Sequence, residues 1–281
     1  MRILGFRSNG LMITALIMTG ALVLVALCAP WLAPEDPRAI GDLTNRLAPP
    51  GVEGALGTDV LGRDILSRLL YGARVSLAVG VGSVIGVVTL GLLVGLAAAL
   101  GPRWLDRLLM GLTDLFLAFP RIFLVLLLVA VAAPSLNLVV IVIVTTGWMG
   151  VARLVRAESL SLRERDYVLA AEGLGLSTAV VAWRHVLPHV VPLVLVAAAL
   201  RLSGAILLEA FLSYLGLGAQ DPAISWGAMV EHGRPHMVDA WWVSTLPGLA
   251  IAWTAVGCNL LGDALRDRWD PRRVHQGGGD E

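Results

Sequence analysis

Residues 75–100 read VSLAVGVGSVIGVVTLGLLVGLAAAL, a stretch of 26 residues without a charged side chain. A helix of this length rises about 39 Å at about 1.5 Å per residue, enough to cross the ~30 Å hydrocarbon core of a bilayer. Its glycines recur four apart, as Gly82 with Gly86 and Gly91 with Gly95. Because small residues at this spacing let helices approach closely in lipid, the stretch predicts a transmembrane helix packed in a bundle.

The rest of the chain has the composition of a membrane protein. Hydrophobic residues make up 57% and charged residues 15% of the 281 residues, whereas soluble domains carry about 25% charged residues. Five further apolar runs are long enough to span a bilayer, and turn-forming residues near Pro134 separate two of them. These runs are residues 11–32, 108–133, 136–152, 188–217 and 241–261. The sequence therefore predicts an all-α, polytopic membrane protein with about six transmembrane helices.

Arginine counting sets the predicted orientation. All 21 basic residues are arginine. With the N-terminus inside, thirteen fall in cytoplasmic segments, six in outside segments and two within spans, as the positive-inside rule requires. Both termini are therefore predicted to be cytoplasmic. Residues 1–70 form a predicted N-terminal anchor and periplasmic segment, residues 71–270 the main transmembrane domain with a cytoplasmic loop at 153–187, and residues 271–281 a disordered tail.

Missing residue types disfavour several functions. Without lysine, the chain has neither the P-loop amine that reaches nucleotide phosphates nor a Schiff-base amine. It lacks HExxH and GxSxG motifs, so no catalytic residue is predicted. Cys28 and Cys258 lie in apolar runs and are interpreted as small hydrophobic residues. Glycine and proline between His232 and His236 argue against a helical metal pair, so no metal site is predicted. The zero net charge indicates no nucleic-acid partner.

The cytoplasmic loop 153–187 contains a predicted short helix. Four residues recur at i, i+3, i+4 and i+7, which places them on one helix face. They are Tyr167, Ala170, Ala171 and Leu174. Gly175 follows, where a left-handed helix cap favours glycine. Such a face fits either a groove on a partner protein or the membrane surface, and periodicity alone does not separate the two.

Four charged residues lie within the predicted spans. Asp114 and Arg121 are seven residues apart, and Arg201 and Glu209 are eight apart, so each pair falls on roughly one helix face. A charge at the bilayer centre costs about 2.5–3.5 kcal/mol on insertion scales, so these side chains should face water or the bundle interior. They are candidates for lining a transport pathway or a gate, and pairing with neighbouring helices is the structural alternative.

Two aromatic residues mark the predicted outer start of the last span. Trp241 and Trp242 are adjacent there. Tryptophan is enriched where helices leave the hydrocarbon core. Both side chains are therefore expected in an interfacial belt.

The cytoplasmic loop also carries a fixed spacing of small residues. Ala170 and Ala171 are followed by Gly175 and, after nine intervening residues, by His185-Val186-Leu187-Pro188. This spacing resembles the EAA loop of ABC importer permeases, which carries the coupling helix that sits in a cleft of the ATPase subunit. Leu169 departs from that pattern, because the family usually has Glu or another polar residue there.

The resemblance covers roughly residues 30–273. Seven short motifs contribute to it, and their order and spacing are more specific than any one of them. They are LGTDVLGRD at 56–64, GARVSL at 72–77, AFP at 118–120, ARLVR at 152–156, LSYLGLG at 212–218, SWG at 225–227 and NLLGDALRD at 259–267. The chain resembles the second, C-type permease subunit of dipeptide, oligopeptide or nickel importers.

This resemblance implies a MetI-like transmembrane domain in a bacterial inner membrane. It implies four kinds of partner: a second homologous permease, two ATP-binding cassette subunits that hold ATP and Mg²⁺, an extracytoplasmic solute-binding protein, and lipid. It also implies ATPase-coupling roles for residues in and after the loop. These are Tyr167, Ala170, Ala171, Glu172, Leu174, Gly175, Leu187 and Pro188.

The cargo and the driving force have alternatives. Di- or oligopeptides are the expected cargo, with nickel or another small solute as the alternative. An ion-gradient-driven secondary transporter would need acidic relays and inverted repeats, and Asp114 and Glu209 are the two candidates for such a relay. A non-transporting membrane scaffold is a third interpretation.

Overall fold

The computed structural model describes the backbone of residues 2–269 and the side chains of residues 10–268. The predicted disordered tail, 271–281, lies outside the described residues. Ten α-helices cover most of this part of the chain, and it contains no β-strand, so the all-α prediction is confirmed. The helices are α1 (Arg2–Leu32), α2 (Ile65–Leu100), α3 (Arg103–Ala118), α4 (Arg121–Val129), α5 (Leu136–Arg163), α6 (Asp166–Gly173), α7 (Thr178–Val181), α8 (Leu187–Tyr214), α9 (Trp226–Gly233) and α10 (Trp242–Trp269).

Five helical stretches in the described part are long and apolar enough to cross a membrane, and a bent pair makes a sixth if it counts as one span. The five are Gly10–Leu32, Ile65–Leu100, Leu136–Arg163, Thr178–Tyr214 and Trp242–Arg268. The bent pair is α3 and α4, whose axes differ by 89°. The prediction of about six transmembrane helices is confirmed.

The bend between α3 and α4 has a local cause. Phe119 is extended at φ −90° and ψ 138°, as expected for a residue before proline, and Pro120 precedes the first residue of α4. Proline removes a helical hydrogen-bond donor and clashes with the preceding turn. The helix is therefore completely interrupted at Pro120, and the break divides the predicted span of residues 108–133.

Several predicted helix ends are wrong, because charged residues continue the helices. α2 begins at Ile65 and not at residue 75, since the Asp64 carboxylate caps it by accepting from the Ser67 N–H at 2.7 Å. α5 continues to Arg163, so the start of the predicted loop 153–187 is helical. α7, a π-helical turn at Ala182–Val186 and α8 form one continuous helical stretch that begins before the predicted residue 188.

The most extensive helix contact joins α2 to α5. A Cβ atom at Gly86 would lie 2.5 Å from Val144, and one at Gly91 would lie 2.5 Å from Val151. At Gly95 a Cβ atom would lie 2.6 Å from the carbonyl oxygen of Ala152. The predicted role of glycine in helix packing is confirmed at these three positions. Gly82 is different, because its Cβ position faces open space.

The other long helices assemble around this pair. α8 packs against α2, α5 and α10, and α1 packs on α10 and α2. The core between α2, α5 and α8 is rich in valine, whose apolar side chain packs closely and needs no hydrogen-bond partner. Its fully buried members include Val125, Val139, Val151, Val155 and Val190.

The connecting segments gather at two opposite ends of the bundle. At one end, the Trp242 indole N–H donates to the Thr58 carbonyl at 3.4 Å, which joins the segment before α2 to the start of α10. At the other end, the Arg163 guanidinium donates to the Ala99 carbonyl at 3.1 Å, next to α6. The segment between α1 and α2 and the segment between α8 and α10 therefore share one end of the bundle, and the predicted coupling helix lies at the other.

Replacing Gly95 with leucine should destabilise the bundle, whereas leucine at Gly82 should not. The Gly95 side chain would overlap the α5 backbone, and overpacking costs about 1–3 kcal/mol. The measurement is the thermal stability of the detergent-solubilised protein, followed by loss of the monodisperse size-exclusion peak. Equal stability of the two variants would contradict the assigned α2–α5 contact.

Candidate functional site

The helix α6 is held at the inner end of the bundle by three kinds of contact. Val168 and Ala171 are buried against the protein's own core. The Glu172 carboxylate lies 3.2 Å from the Arg163 guanidinium at the end of α5. The Tyr167 ring lies against two histidine rings near the start of α8, with centroid distances of 5.8 Å to His189 and 6.4 Å to His185. Thus α6 is connected both to α5 and to α8.

The end of α6 has the hydrogen bonding of a glycine-dependent cap. Gly175 has φ +81°, in the left-handed region. Its N–H donates to the Glu172 carbonyl at 2.9 Å, and the Leu176 N–H donates to the Ala171 carbonyl at 3.3 Å. These two bonds define a Schellman motif. The predicted conformation of Gly175 is confirmed.

The predicted apolar face of α6 is not the face that is buried against the subunit. Ala171 points into the subunit, together with Val168, which the prediction did not include. Ala170 and Leu174 face outward, and Leu174 is 84% exposed at the end of the helix. Val168 packs into the hydrophobic core of the subunit, whereas Leu169 stays half-exposed. The outward face of α6 therefore contains Ala170, Leu174 and Leu169.

The residues Leu187 and Pro188 lie where α8 begins. Leu187 is half-buried and Pro188 is exposed in the first turn of α8. The Leu187 N–H donates to the Ala182 carbonyl five residues back, so the helix is locally widened before the proline, which has no N–H of its own. Beside Pro188, Trp183 is exposed on the same surface.

The Asp114 carboxylate forms an ion pair with Arg153 of α5. One turn further along α5, Arg156 donates two hydrogen bonds to the Asp106 carboxylate, at 2.5 and 2.7 Å. These pairs attach α3 to α5 and explain why the arginines continue α5 as a helix. For Asp114 the structure favours the structural alternative. Since the helix breaks at Pro120, Asp114 does not share a helix face with Arg121.

The Glu209 carboxylate is completely buried inside the subunit. It accepts hydrogen bonds from the Ser213 hydroxyl at 2.8 Å and from the Ser76 hydroxyl of α2 at 3.2 Å. The Ser213 oxygen also accepts from the Ala219 N–H at 3.2 Å. This cluster joins α2, α8 and the segment after α8, so the geometry favours a structural role for Glu209.

Arg121 and Arg201 converge on one turn of α5. The Arg201 guanidinium donates to the Gly147 carbonyl at 3.0 Å, and an Arg121 Nη atom lies 3.6 Å from the Cβ position of Gly147. The sequence spacing placed Asp114 with Arg121, and Arg201 with Glu209, on shared helix faces. The structure instead brings Arg121 and Arg201 together from two different helices.

A buried ion cluster at the outer end is the feature that sequence reasoning missed. The Asp59 carboxylate lies 2.8 Å from the Arg63 guanidinium and 3.5 Å from that of Arg68, and all three side chains are buried. Asp59 also accepts from the N–H groups of Leu61 and Arg63, at 2.8 and 3.0 Å. A signal was present in the sequence, because one acid precedes two arginines in a stretch that resembles the family motif.

The comparisons with known proteins agree with this architecture. The sequence pattern described as "binding-protein-dependent transport system inner membrane component" matches residues 88–275. The pattern of the N-terminal transmembrane domain of oligopeptide transport permease C matches residues 3–50. The chain therefore belongs to the binding-protein-dependent permease family.

Several curated proteins are similar to this permease over most of its length. A putative peptide transport system permease protein of Brucella abortus is 42% identical over 262 residues, covering 93% of this chain and 88% of the relative. The dipeptide transport system permease protein DppC of Alkalihalophilus pseudofirmus is 40% identical, with coverages of 95% and 87%. The glutathione transport system permease protein GsiD of Escherichia coli O6:K15:H31 is also 40% identical, with coverages of 95% and 88%.

A solved structure shares the fold of the permease. An inward-facing structure of the MetNI methionine ABC transporter superposes with a TM-score of 0.58 at 18% identity, covering 71% of this chain and 95% of that chain. At this level of identity the likeness concerns the fold alone.

Replacing Asp59 with asparagine should destabilise the outer end of the permease. The change leaves Arg63 and Arg68 buried without their shared carboxylate, and breaking a buried pair costs about 3–5 kcal/mol. Limited proteolysis of the segment before α2 measures the effect, with Asp221→Asn as the control, because Asp221 is 66% exposed and 3.9 Å from Arg63. If both variants resist protease like the wild type, the cluster has no stabilising role.

Proposed function

We propose that this permease is one membrane-spanning half of an ATP-driven importer that moves dipeptides or oligopeptides into a bacterial cell across the inner membrane. The family to which the chain belongs depends on a binding protein, as its description states. A second homologous permease completes the pathway, and two ATPase subunits dock from the cytoplasm.

The observation that carries this proposal is the position of α6. It lies at the end of the bundle opposite the segment between α1 and α2 and the segment between α8 and α10. Its outward side exposes Leu169, Ala170 and Leu174. An exposed apolar helix face favours a protein groove as its partner. The capped, short helix is therefore suited to receive a push from an ATPase subunit.

The contacts of α6 supply a route by which such a push would reach the membrane. The ion pair of Glu172 with Arg163 connects α6 to α5, and the packing of Tyr167 on His185 and His189 connects it to α8. When ATP brings the two ATPase subunits together, the inner ends of α5 and α8 move with α6. The bundle then changes between inward-open and outward-open states, an equilibrium that nucleotide biases.

The absence of lysine supports the proposal that other subunits bind the ATP. A P-loop needs a lysine that reaches the nucleotide phosphates, and this chain contains none. ATP and Mg²⁺ therefore bind to the partner ATPase subunits, and this chain contributes the pathway and the coupling surface.

Peptide cargo is favoured over nickel. The relatives described above carry the names of peptide, dipeptide and glutathione permeases, and they align with 93–95% of this chain. Glutathione is itself a small peptide, so the three names share one chemical class of cargo: a short chain of amide bonds with free termini.

Reconstitution of the complete transporter tests the proposed function. The chain is co-expressed with its partner permease, ATPases and binding protein, and uptake of radiolabelled trialanine is measured in proteoliposomes containing ATP. The expected result is uptake that stops when ATP or the binding protein is omitted. Uptake driven by a proton or sodium gradient without the ATPases would favour the secondary-transporter alternative and overturn the proposal.

Replacing Gly175 with valine should uncouple ATP hydrolysis from uptake while the subunit remains inserted. A β-branched residue is strained at φ +81°, because the left-handed conformation costs about 1–2 kcal/mol even for ordinary residues. The change would loosen the end of α6 at its outward face. The measurement is the ratio of trialanine imported to ATP hydrolysed.

The matched control for this variant is Gly173→Val. Gly173 is the last residue of α6, lies in open space and lacks a positive φ. Valine there should keep a ratio close to that of the wild type. A normal ratio for Gly175→Val, or an equal loss in both variants, would contradict the role assigned to the cap.

A further inference from the structure

A cavity of about 370 Å³ lies between α4 and α8, next to the arginine pair. Both helices pack on α5. Apart from one arginine, the residues that line the cavity are apolar or glycine. They are Arg121, Ile122 and Val125 from α4, and Gly204, Leu207, Leu208 and Phe211 from α8.

Two glycines of α5 make room for the guanidinium groups. A Cβ atom at Gly150 would lie 2.5 Å from an Arg201 Nη atom, so a side chain at this position would displace the guanidinium. Gly147 accepts the Arg201 hydrogen bond through its carbonyl and lies under Arg121. The α5 surface beside Arg121 therefore accommodates both guanidinium groups.

The positive charge at this end of the cavity has no described counter-ion. Within the described side chains, neither Arg121 nor Arg201 forms an ion pair with a carboxylate, whereas Arg153, Arg156 and Arg163 each do. The N-terminus of α4 adds to the positive potential, because Pro120 provides no side-chain cap for it.

Because these two charges have no carboxylate partner among the described side chains, the cavity does not face lipid. A single arginine at the bilayer centre costs about 2.5–3.5 kcal/mol on insertion scales, and such residues face water or protein partners. Arg121 and Arg201 lie within helices that belong to the predicted membrane spans. The cavity therefore opens to water or to an anionic partner, which is what a transport pathway offers.

We propose that Arg121 and Arg201 form a carboxylate-recognition subsite in the transport pathway, where they bind the C-terminal carboxylate of a peptide while the apolar cavity receives an adjacent side chain. The subsite rests on the proposed function, because it names the part of the peptide that this chain recognises. Guanidinium groups bind carboxylates through paired, charge-assisted hydrogen bonds. The cavity extends from Arg121 along α4 to Val125 and along α8 to Phe211, and its apolar lining suits a side chain next to the bound carboxylate.

A cysteine at Gly204 makes the subsite measurable in the assembled transporter. Gly204 lines the cavity, and its Cβ position faces open space. In a background with Cys28 and Cys258 replaced by alanine, Gly204→Cys is labelled with an anionic sulfonatoethyl or a cationic trimethylammonioethyl methanethiosulfonate. Each rate is divided by the rate with a free thiol in solution, and the complex is assayed with and without ATP.

The arginine pair should favour the anionic reagent by about tenfold in the normalised rates, in at least one nucleotide state. Arg121→Gln should remove most of this preference, whereas Arg121→Lys should retain it within about twofold. Arg121 suits this test because its side chain makes no described hydrogen bond that the change would break. Arg107→Gln, on the exposed side of α3, is the control and should leave the preference unchanged.

Protection of the cysteine by added peptide tests whether the C-terminal carboxylate of the peptide occupies the subsite. Trialanine should slow labelling of Gly204→Cys, trialanine amide should not, and Arg121→Gln should abolish the difference. Absence of any anionic preference in both nucleotide states would mean that carboxylates of another subunit neutralise the arginines, which overturns the proposal. Equal protection by the acid and the amide would overturn it as well.

Uptake of trialanine by the wild-type complex separates this inference from the proposed function. Normal uptake without selective protection would reject the subsite and leave the importer function intact. Charge preference and acid-selective protection without ATP-driven uptake would support the subsite and reject the importer function.

Discussion

The close contact of α2 with α5 is the constraint on which the rest of the structure depends. A bilayer gives helices little hydrophobic reason to associate, so association relies on close packing, which small residues allow. Gly86, Gly91 and Gly95 bring the α2 backbone onto α5 along several turns. This contact fixes α5 as the central helix, and both candidate functional features are attached to it: α6 follows its inner end, and the arginine pair lies on its Gly147 turn.

The charged residues of the chain divide into those that are neutralised within the subunit and those that are not. Asp59 neutralises buried arginines at the outer end, and Asp106 and Asp114 attach α3 to α5. Because these charges have partners, they serve the architecture. Arg121 and Arg201 have no carboxylate partner among the described side chains, which is why they are the residues proposed to bind an anionic group of the cargo.

Features set by local composition could be predicted from the sequence. The spans follow from apolar length, the cap at Gly175 from its place after a periodic segment, and the packing of α2 from its glycines. Features set by distant partners could not. α5 continues beyond residue 152, where Arg153 and Arg156 form ion pairs with carboxylates on α3. The face of α6 that is buried is the one with Val168, which packs into the subunit core. Trp242 was expected at the membrane interface, but it is buried because its indole N–H reaches the Thr58 carbonyl, 184 residues away in the sequence.

The central claim is that the outward face of α6 meets an ATPase subunit in the cytoplasm. Leu174→Cys, with Cys28 and Cys258 replaced by alanine, tests it by cross-linking in inner-membrane vesicles that contain the complete transporter. A short bifunctional thiol reagent should join this position to an ATPase subunit carrying a cysteine in its cleft, with a yield that changes when ATP is added. Labelling of Leu174→Cys by impermeant reagents from the outer side only, or the absence of any cross-link to the ATPase subunit in both nucleotide states, would contradict this assignment.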